Sequence, residues 1–184
     1  MNKITYLLLV LLSINSYLTS AQTFTFERQI QASNDDAEES ADESYVTTTS
    51  SDIEMVYDSW NDQGLQTLGL RFNNITLPPN AIITNAYIQF TADGANSGNV
   101  SLTISGENIA NSPAFLSDAA NISDRTPTTT IVNWSPSNWS DGQAGTAQRT
   151  PDLSAIVETI MTNNGWQSGN PITFIISGTG SETE

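Results

Sequence analysis

The stretch Ile82-Ile83-Thr84-Asn85-Ala86-Tyr87-Ile88-Gln89-Phe90-Thr91-Ala92 alternates with a period of two. Ile82, Thr84, Ala86, Ile88, Phe90 and Ala92 share one side; Ile83, Asn85, Tyr87, Gln89 and Thr91 share the other. Side chains two residues apart lie on one face of a strand, so this is the clearest strand of the chain. Asp93-Gly94 ends it, and Asn96 to Asn99 is turn-like. Val100, Leu102 and Ile104 then alternate with Ser101, Thr103 and Ser105. The two segments are expected to pair as a hairpin with a long loop.

The same period recurs on either side. Phe24, Phe26 and Ile30 suggest a first strand. Tyr45 to Thr49 is rich in β-branched residues, Ile53 and Met55 alternate with Asp52 and Glu54, and Leu68, Leu70 and Phe72 share a face. Pro78-Pro79-Asn80 is a turn. Residues 108–128 read as irregular, Thr129 to Trp134 as a short strand and Pro171 to Ser177 as a buried one. One segment breaks the period. Leu153, Ile156, Val157, Ile160 and Met161 mark one face of a helix over 151–163, with Thr150 as N-cap, Pro151 in the first position and Gly165 as the stop. Seven or so strands and one lateral helix make an all-β fold, an antiparallel β-sandwich of jelly-roll type. The strand at 171–177 is expected to be central, and the polar end after it leads us to expect a module lacking its last strand.

The chain has no histidine and no cysteine in its 184 residues. That excludes Ser-His-Asp and Cys-His nucleophile systems, thiolate zinc sites and His-ligated metals. Carboxylates remain, as acid/base pairs or as oxygen ligands for a hard cation. Residues 1–21 read as a secretory signal: Lys3 begins it, Ile4 to Leu12 is apolar but too short to span a bilayer, and Thr19-Ser20-Ala21 suits cleavage. Residues 22–184 then form a single module of about 160 residues, long enough to bury a core without disulfides. The formal charge is −15, and Lys3 is the sole lysine, so the exported chain carries four arginines and nothing else cationic. Such a surface repels phosphate backbones and anionic lipid, so neither nucleic acid nor membrane insertion after signal cleavage is expected.

Asp35-Asp36-Ala37-Glu38-Glu39, Leu68-Gly69-Leu70-Arg71-Phe72, the strand from Ala81 to Phe90, and Pro151-Asp152-Leu153 together resemble secreted bacterial modules of the DNRLRE type, similar to carbohydrate-binding module family 96. The resemblance covers most of residues 24–180 and implies a jelly roll appended to a secreted or cell-surface protein, with a binding or adhesion role and no catalysis. It implies no particular ligand.

Four constellations bear on chemistry. The acidic run around Asp35, Asp36, Glu38 and Glu39, with Glu54 completing the shell, could hold Ca²⁺, although the glycine and distal glutamate of an EF-hand are missing; the plain alternative is a solvated acidic loop. Two of the 20 acidic residues could instead form a glycosidase pair, which needs carboxyls about 5–10 Å apart in a cleft. Tyr57, Trp60 and Trp139 could stack on sugar rings, whereas Trp134 and Trp166 read as core. Arg71 is expected to pair bidentately with a carboxylate of the acidic run. Asn74, Asn99, Asn121, Asn133 and Asn138 each match the N-glycosylation pattern, which an Asn/Ser/Thr-rich chain meets by chance. The resulting expectation is a secreted or surface-bound, non-catalytic accessory module, Ca²⁺-stabilised, that binds a polysaccharide or cell-surface polymer and joins other modules of a longer polypeptide. The alternatives are a structural or adhesive stalk domain, or a fragment of a carboxylate-dependent glycan-active enzyme.

Overall fold

The two longest strands, β4 (Gly64–Phe72) and β7 (Ile172–Gly180), lie side by side and antiparallel, with Leu68 opposite Ile176 and Leu70 opposite Phe174. The molecule is a computed structural model that describes residues 23–59, 63–78, 80–95, 98–162 and 165–180. The other strands are β1 (Asp36–Ser40), β2 (Val46–Thr47), β3 (Tyr57–Asp58), β5 (Val100–Gly106) and β6 (Val132–Trp134). They form one antiparallel sheet in the order β2-β1-β4-β7-β5-β6, with β3 also on β4. The antiparallel all-β class with a single helix, α1 (Ser154–Thr162), is therefore as expected. β7 is central, as its run of apolar residues implied, and is paired on both sides.

The alternation of β4, β5 and β7 puts Leu68, Leu70, Leu102, Ile104, Phe174 and Ile176 into the main core. Across that core lie Ile75, Leu77, Ile88, Trp139, Leu153, Ile156 and Ile160. This opposing layer is helix and extended chain; among the described residues no second ladder closes it into a two-sheet sandwich. Helix α1 can approach β5 because residue 106 is glycine: a Cβ there would lie 2.6 Å from Ile160 Cδ1. The other face of the sheet carries a smaller cluster of Ala37, Val46, Phe115 and Ile122 with Ile175, covered by part of the irregular stretch 108–128.

Several expectations change. The stretch Ile82–Ala92 is extended, but it does not pair with β5, which runs between β6 and β7. It instead runs against residues 142–153: Phe90 N–H donates to Gln148 O, Thr150 N–H to Ile88 O and Leu153 N–H to Ala86 O. Pro151 in that partner has no N–H, and a 3-10 turn (Thr146–Gln148) interrupts it, so a regular ladder cannot form. Side-chain oxygens substitute: Ile88 N–H donates to Thr150 Oγ1 and Ala86 N–H to Asp152 Oδ1, at 3.0 Å each. Thr150 is thus not the helix cap. Asp152 is, accepting Ser154 N–H at 2.9 Å, and α1 starts at Ser154. The helical face is as expected, with Leu153, Ile156, Val157 and Ile160 buried. The segment 24–30 forms no strand, and Phe24 is exposed. Residues 52–56 likewise lie outside any strand, and the β-branched run at 45–49 contributes only the two residues of β2. Pro79, Asn96, the 1–21 signal and Trp60 lie outside the described residues.

Candidate functional site

The acidic run expected as a loop is strand β1, running between β2 and β4. Strand alternation divides its carboxylates between the two faces of the sheet. Glu38 is opposite Leu68 and Asp36 opposite Leu70, on the main-core side; Glu39 and Asp35 point the other way with Ala37. Asp35, Asp36, Glu38, Glu39 and Glu54 therefore do not converge on one point. Among the described residues no group of three or more acidic side chains is placed to hold a metal ion.

On the outer face each acid has a fixed partner. Asp35, 2% exposed, is ion-paired to Arg71 Nη1, and its second oxygen accepts from Asn73 Nδ2. Arg71 was expected to bind the acidic run bidentately. It gives Asp35 one N–H and sends Nε to Ser112 O at 2.9 Å instead. Glu39 receives Ile122 N–H at 2.6 Å and Ser123 N–H at 3.1 Å, closing the turn that brings Ile122 under the sheet. Beside them lies a group that sequence reading missed. Glu107 and Arg125 are ion-paired at 2.8 Å with both side chains 7% exposed. Ser112 donates to Glu107 and shares a 2.7 Å hydrogen bond with Thr173. The Arg125 guanidinium lies 4.2 Å over the Phe115 ring, which is itself seated on Gly69. Phe115 and Ile122 within a mostly polar stretch were the available signal.

On the core side, Glu38 accepts Glu54 N–H at 2.8 Å. Burial pushes the Glu38 carboxyl up to about 9, and a hydrogen bond with the Glu54 carboxyl adds to the rise; Glu54 N–H opposes it, and the charges of Glu54 and Asp52 reinforce it. Glu38 is thus held protonated beside Glu54, whose Oε2 is buried with no hydrogen-bond partner. Burial also raises Asp36, reinforced by Asp35 and opposed by its own backbone. At the exposed turn after β1, the Ser40 and Ser44 donors pull Asp42 down to about 2.

The aromatic candidates separate clearly. Tyr57 is 39% exposed and sits opposite the exposed Leu65 on the β3–β4 pair. Trp139 is 3% exposed and packs with Phe90 and Trp134, their centroids 5.8–6.2 Å apart, so it belongs to the core and not to a ligand surface. Trp134 and Trp166 pack into that core as expected, Trp166 also donating to Pro171 O. An open depression of about 460 Å³ at the end of β5, β6 and β7 is lined by Asn99, Val100, Ser101, Ser135, Pro136, Thr179 and Gly180, with no carboxylate among the described residues. No known protein family, characterised protein or solved structure matches this chain.

Proposed function

We propose that this chain is a secreted or cell-surface, non-catalytic accessory module that binds a polysaccharide or surface polymer through the exposed Tyr57–Leu65 pair. One observation carries the reading. Three of the buried carboxylates are held by the fold, Asp35 by Arg71, Glu39 by two backbone N–H groups and Glu107 by Arg125. A glycosidase needs two carboxyls facing a cleft with room for a sugar. Tyr57, by contrast, offers a flat apolar ring to solvent. The resemblance to DNRLRE-type and family 96 modules points the same way.

Ca²⁺ has a place to act in this reading between Glu38 and Glu54, where it would displace the Glu38 proton and meet the unpartnered Oε2. Two carboxyls fall short of the six to eight oxygens calcium takes, so affinity belongs in the roughly 0.1–1 mM class of extracellular modules. Binding tightens as pH rises, because the proton must leave.

The test is a panel of soluble polysaccharides assayed for binding and for released reducing ends. The expected result is binding without release, weakened about tenfold by Tyr57→Ala, since one stacked ring is worth only about 1–2 kcal/mol. Release of reducing sugar that a single Asp or Glu substitution stops would favour the enzyme reading. Neither binding nor release across the panel would favour a structural stalk.

A further inference from the structure

Two of the four arginines pair with buried acids, Arg71 with Asp35 and Arg125 with Glu107. The other two, Arg28 and Arg149, are half-buried and make no ion pair among the described residues. In a chain of 20 acidic residues and net charge −15, a cation left without an acid is the exception. The two differ in what they present. Arg28 lies over Phe26, gives Nη2 to Asn74 O, and has Nε buried without a partner. Arg149 uses only Nε, which donates to Gln89 Oε1 at 3.2 Å. Both of its Nη groups are unbonded among the described residues, and neither is buried.

The fold holds that guanidinium in place. Tyr87 and Gln89 sit two residues apart on the solvent side of the extended segment, while Ile88 between them enters the core. Arg149 is bridged to Gln89 across the paired segments, and its neighbours Gln148 and Thr150 are buried. Its guanidinium lies 4.0 Å over the ring of Tyr87, which is 43% exposed. Gln89 is itself pinned: its Nε2 donates to Gly145 O at 3.0 Å, which turns Oε1 toward Arg149 Nε. Asp152, three residues on, does not compete, because Ala86 N–H, Ser154 N–H and Ser154 Oγ occupy its carboxylate. The edge formed by Nη1 and Nη2 matches the two oxygens of a planar carboxylate. Stacking on the ring removes in advance rotamer freedom that an unrestrained arginine loses on binding. The charge of the whole chain sets how dense those carboxylates can be. A polymer with one on every sugar meets long-range repulsion from −15, whereas isolated carboxylates on a neutral backbone meet it at single points.

We infer that Arg149, Tyr87 and Gln89 form a carboxylate-binding site for uronic acid side groups borne by an otherwise neutral glycan. The inference rests on the glycan-binding reading above and adds a contact made by residues other than Tyr57 and Leu65. The experiment has two arms, both in EDTA at matched ionic strength. In the first, the full chain is run by affinity electrophoresis through glucuronate-substituted xylan and through the same xylan after carboxyl reduction. The expected result is retention about threefold to tenfold tighter by the acidic polymer. The preference is lost in Arg149→Gln and in Arg149→Lys, which keeps the charge without the paired Nη donors, while binding to the reduced xylan is unchanged. In the second arm, sodium glucuronate and glucose 6-sulfate are titrated while NMR follows the Arg149 Nε–H and the Gln89 side-chain amide. Glucuronate is expected to shift both signals, and the sulfate to shift them less. Equal retention by the two xylans, or a preference that survives Arg149→Lys, overturns the inference and leaves glycan binding intact. Tighter retention by polygalacturonate than by the substituted xylan overturns the neutral backbone, and an equal shift by glucose 6-sulfate overturns the carboxylate. Shifts with glucuronate but no retention by any polymer keep the carboxylate site and overturn the glycan-binding reading; neither shift nor retention overturns both.

Discussion

Glu38 is the residue whose surroundings most alter its chemistry. Its carboxyl is buried against Glu54, and its raised pKa means that the folded chain holds a proton the unfolded chain releases near 4.5. The folded state therefore binds more protons between those two values, and stability falls as pH rises through that window. The contribution is fully present below the unfolded pKa and is gone above about 9. Glu38→Gln keeps the shape and supplies N–H donors that need no titrating proton. Urea denaturation of wild type and Glu38→Gln from pH 5 to 9 is expected to show a gap that widens with pH in favour of the variant; a constant gap would mean that Glu38 is not held protonated. A second residue-scale prediction concerns Gly69, where a Cβ would lie 2.3 Å from Phe115 Cζ. Gly69→Ala is expected to cost about 1–3 kcal/mol in urea unfolding, with part of the loss recovered by adding Phe115→Leu.

At the scale of elements, Asp152 joins the helix to the extended layer. It accepts Ser154 N–H at the helix start and Ala86 N–H across the pair, and those donors hold its carboxyl below the usual range. Asp152→Ala removes a cap and leaves Ala86 N–H to water, an expected loss of about 1–2 kcal/mol in thermal or urea unfolding. Arg125 does the same for the segment over the outer face. Arg125→Met leaves Glu107 buried without its cation, an expected loss of about 3–5 kcal/mol that Glu107→Gln in the same chain should reduce. The helix face, β4, β5 and the central β7 were legible because each buries one continuous stripe that local periodicity records. Strand β1 was not, because Asp-Ala-Glu-Glu-Ser is a composition strands disfavour. It is held by partners such as Arg71, Ile122 and Ser123, which lie 36 to 84 positions away along the chain. The period at Ile82–Ala92 holds from Ala86 onward, whereas Ile82 is 82% exposed and Ile83 packs against the core; periodicity also names no partner, and Pro151 in the segment it meets rules out a regular ladder. Trp139 misled for a similar reason, since a tryptophan between polar neighbours looks exposed until Phe90 and Trp134 are seen to enclose it.

At the scale of the whole molecule, one sheet carries two unlike layers. The main-core face is apolar and covered by α1 and extended chain; the outer face is covered by a segment that combines Phe115 and Ile122 with ion pairs. The strongly acidic composition is thus partly internal: Asp35, Glu38, Glu39 and Glu107 are all buried. That placement removes these four from surface chemistry and supports the proposal of a non-catalytic binding module. The central claim is that the acidic run is a buried strand held by the chain's own donors. Amide hydrogen exchange of the full chain in EDTA tests it most directly. The account predicts slow exchange over β1, and for Ile122 N–H under its Glu39 bond, comparable to that of β4 and β7. Exchange at the rate of an exposed loop across 35–40, slowed only when calcium is returned, would contradict it and restore the acidic metal-binding loop.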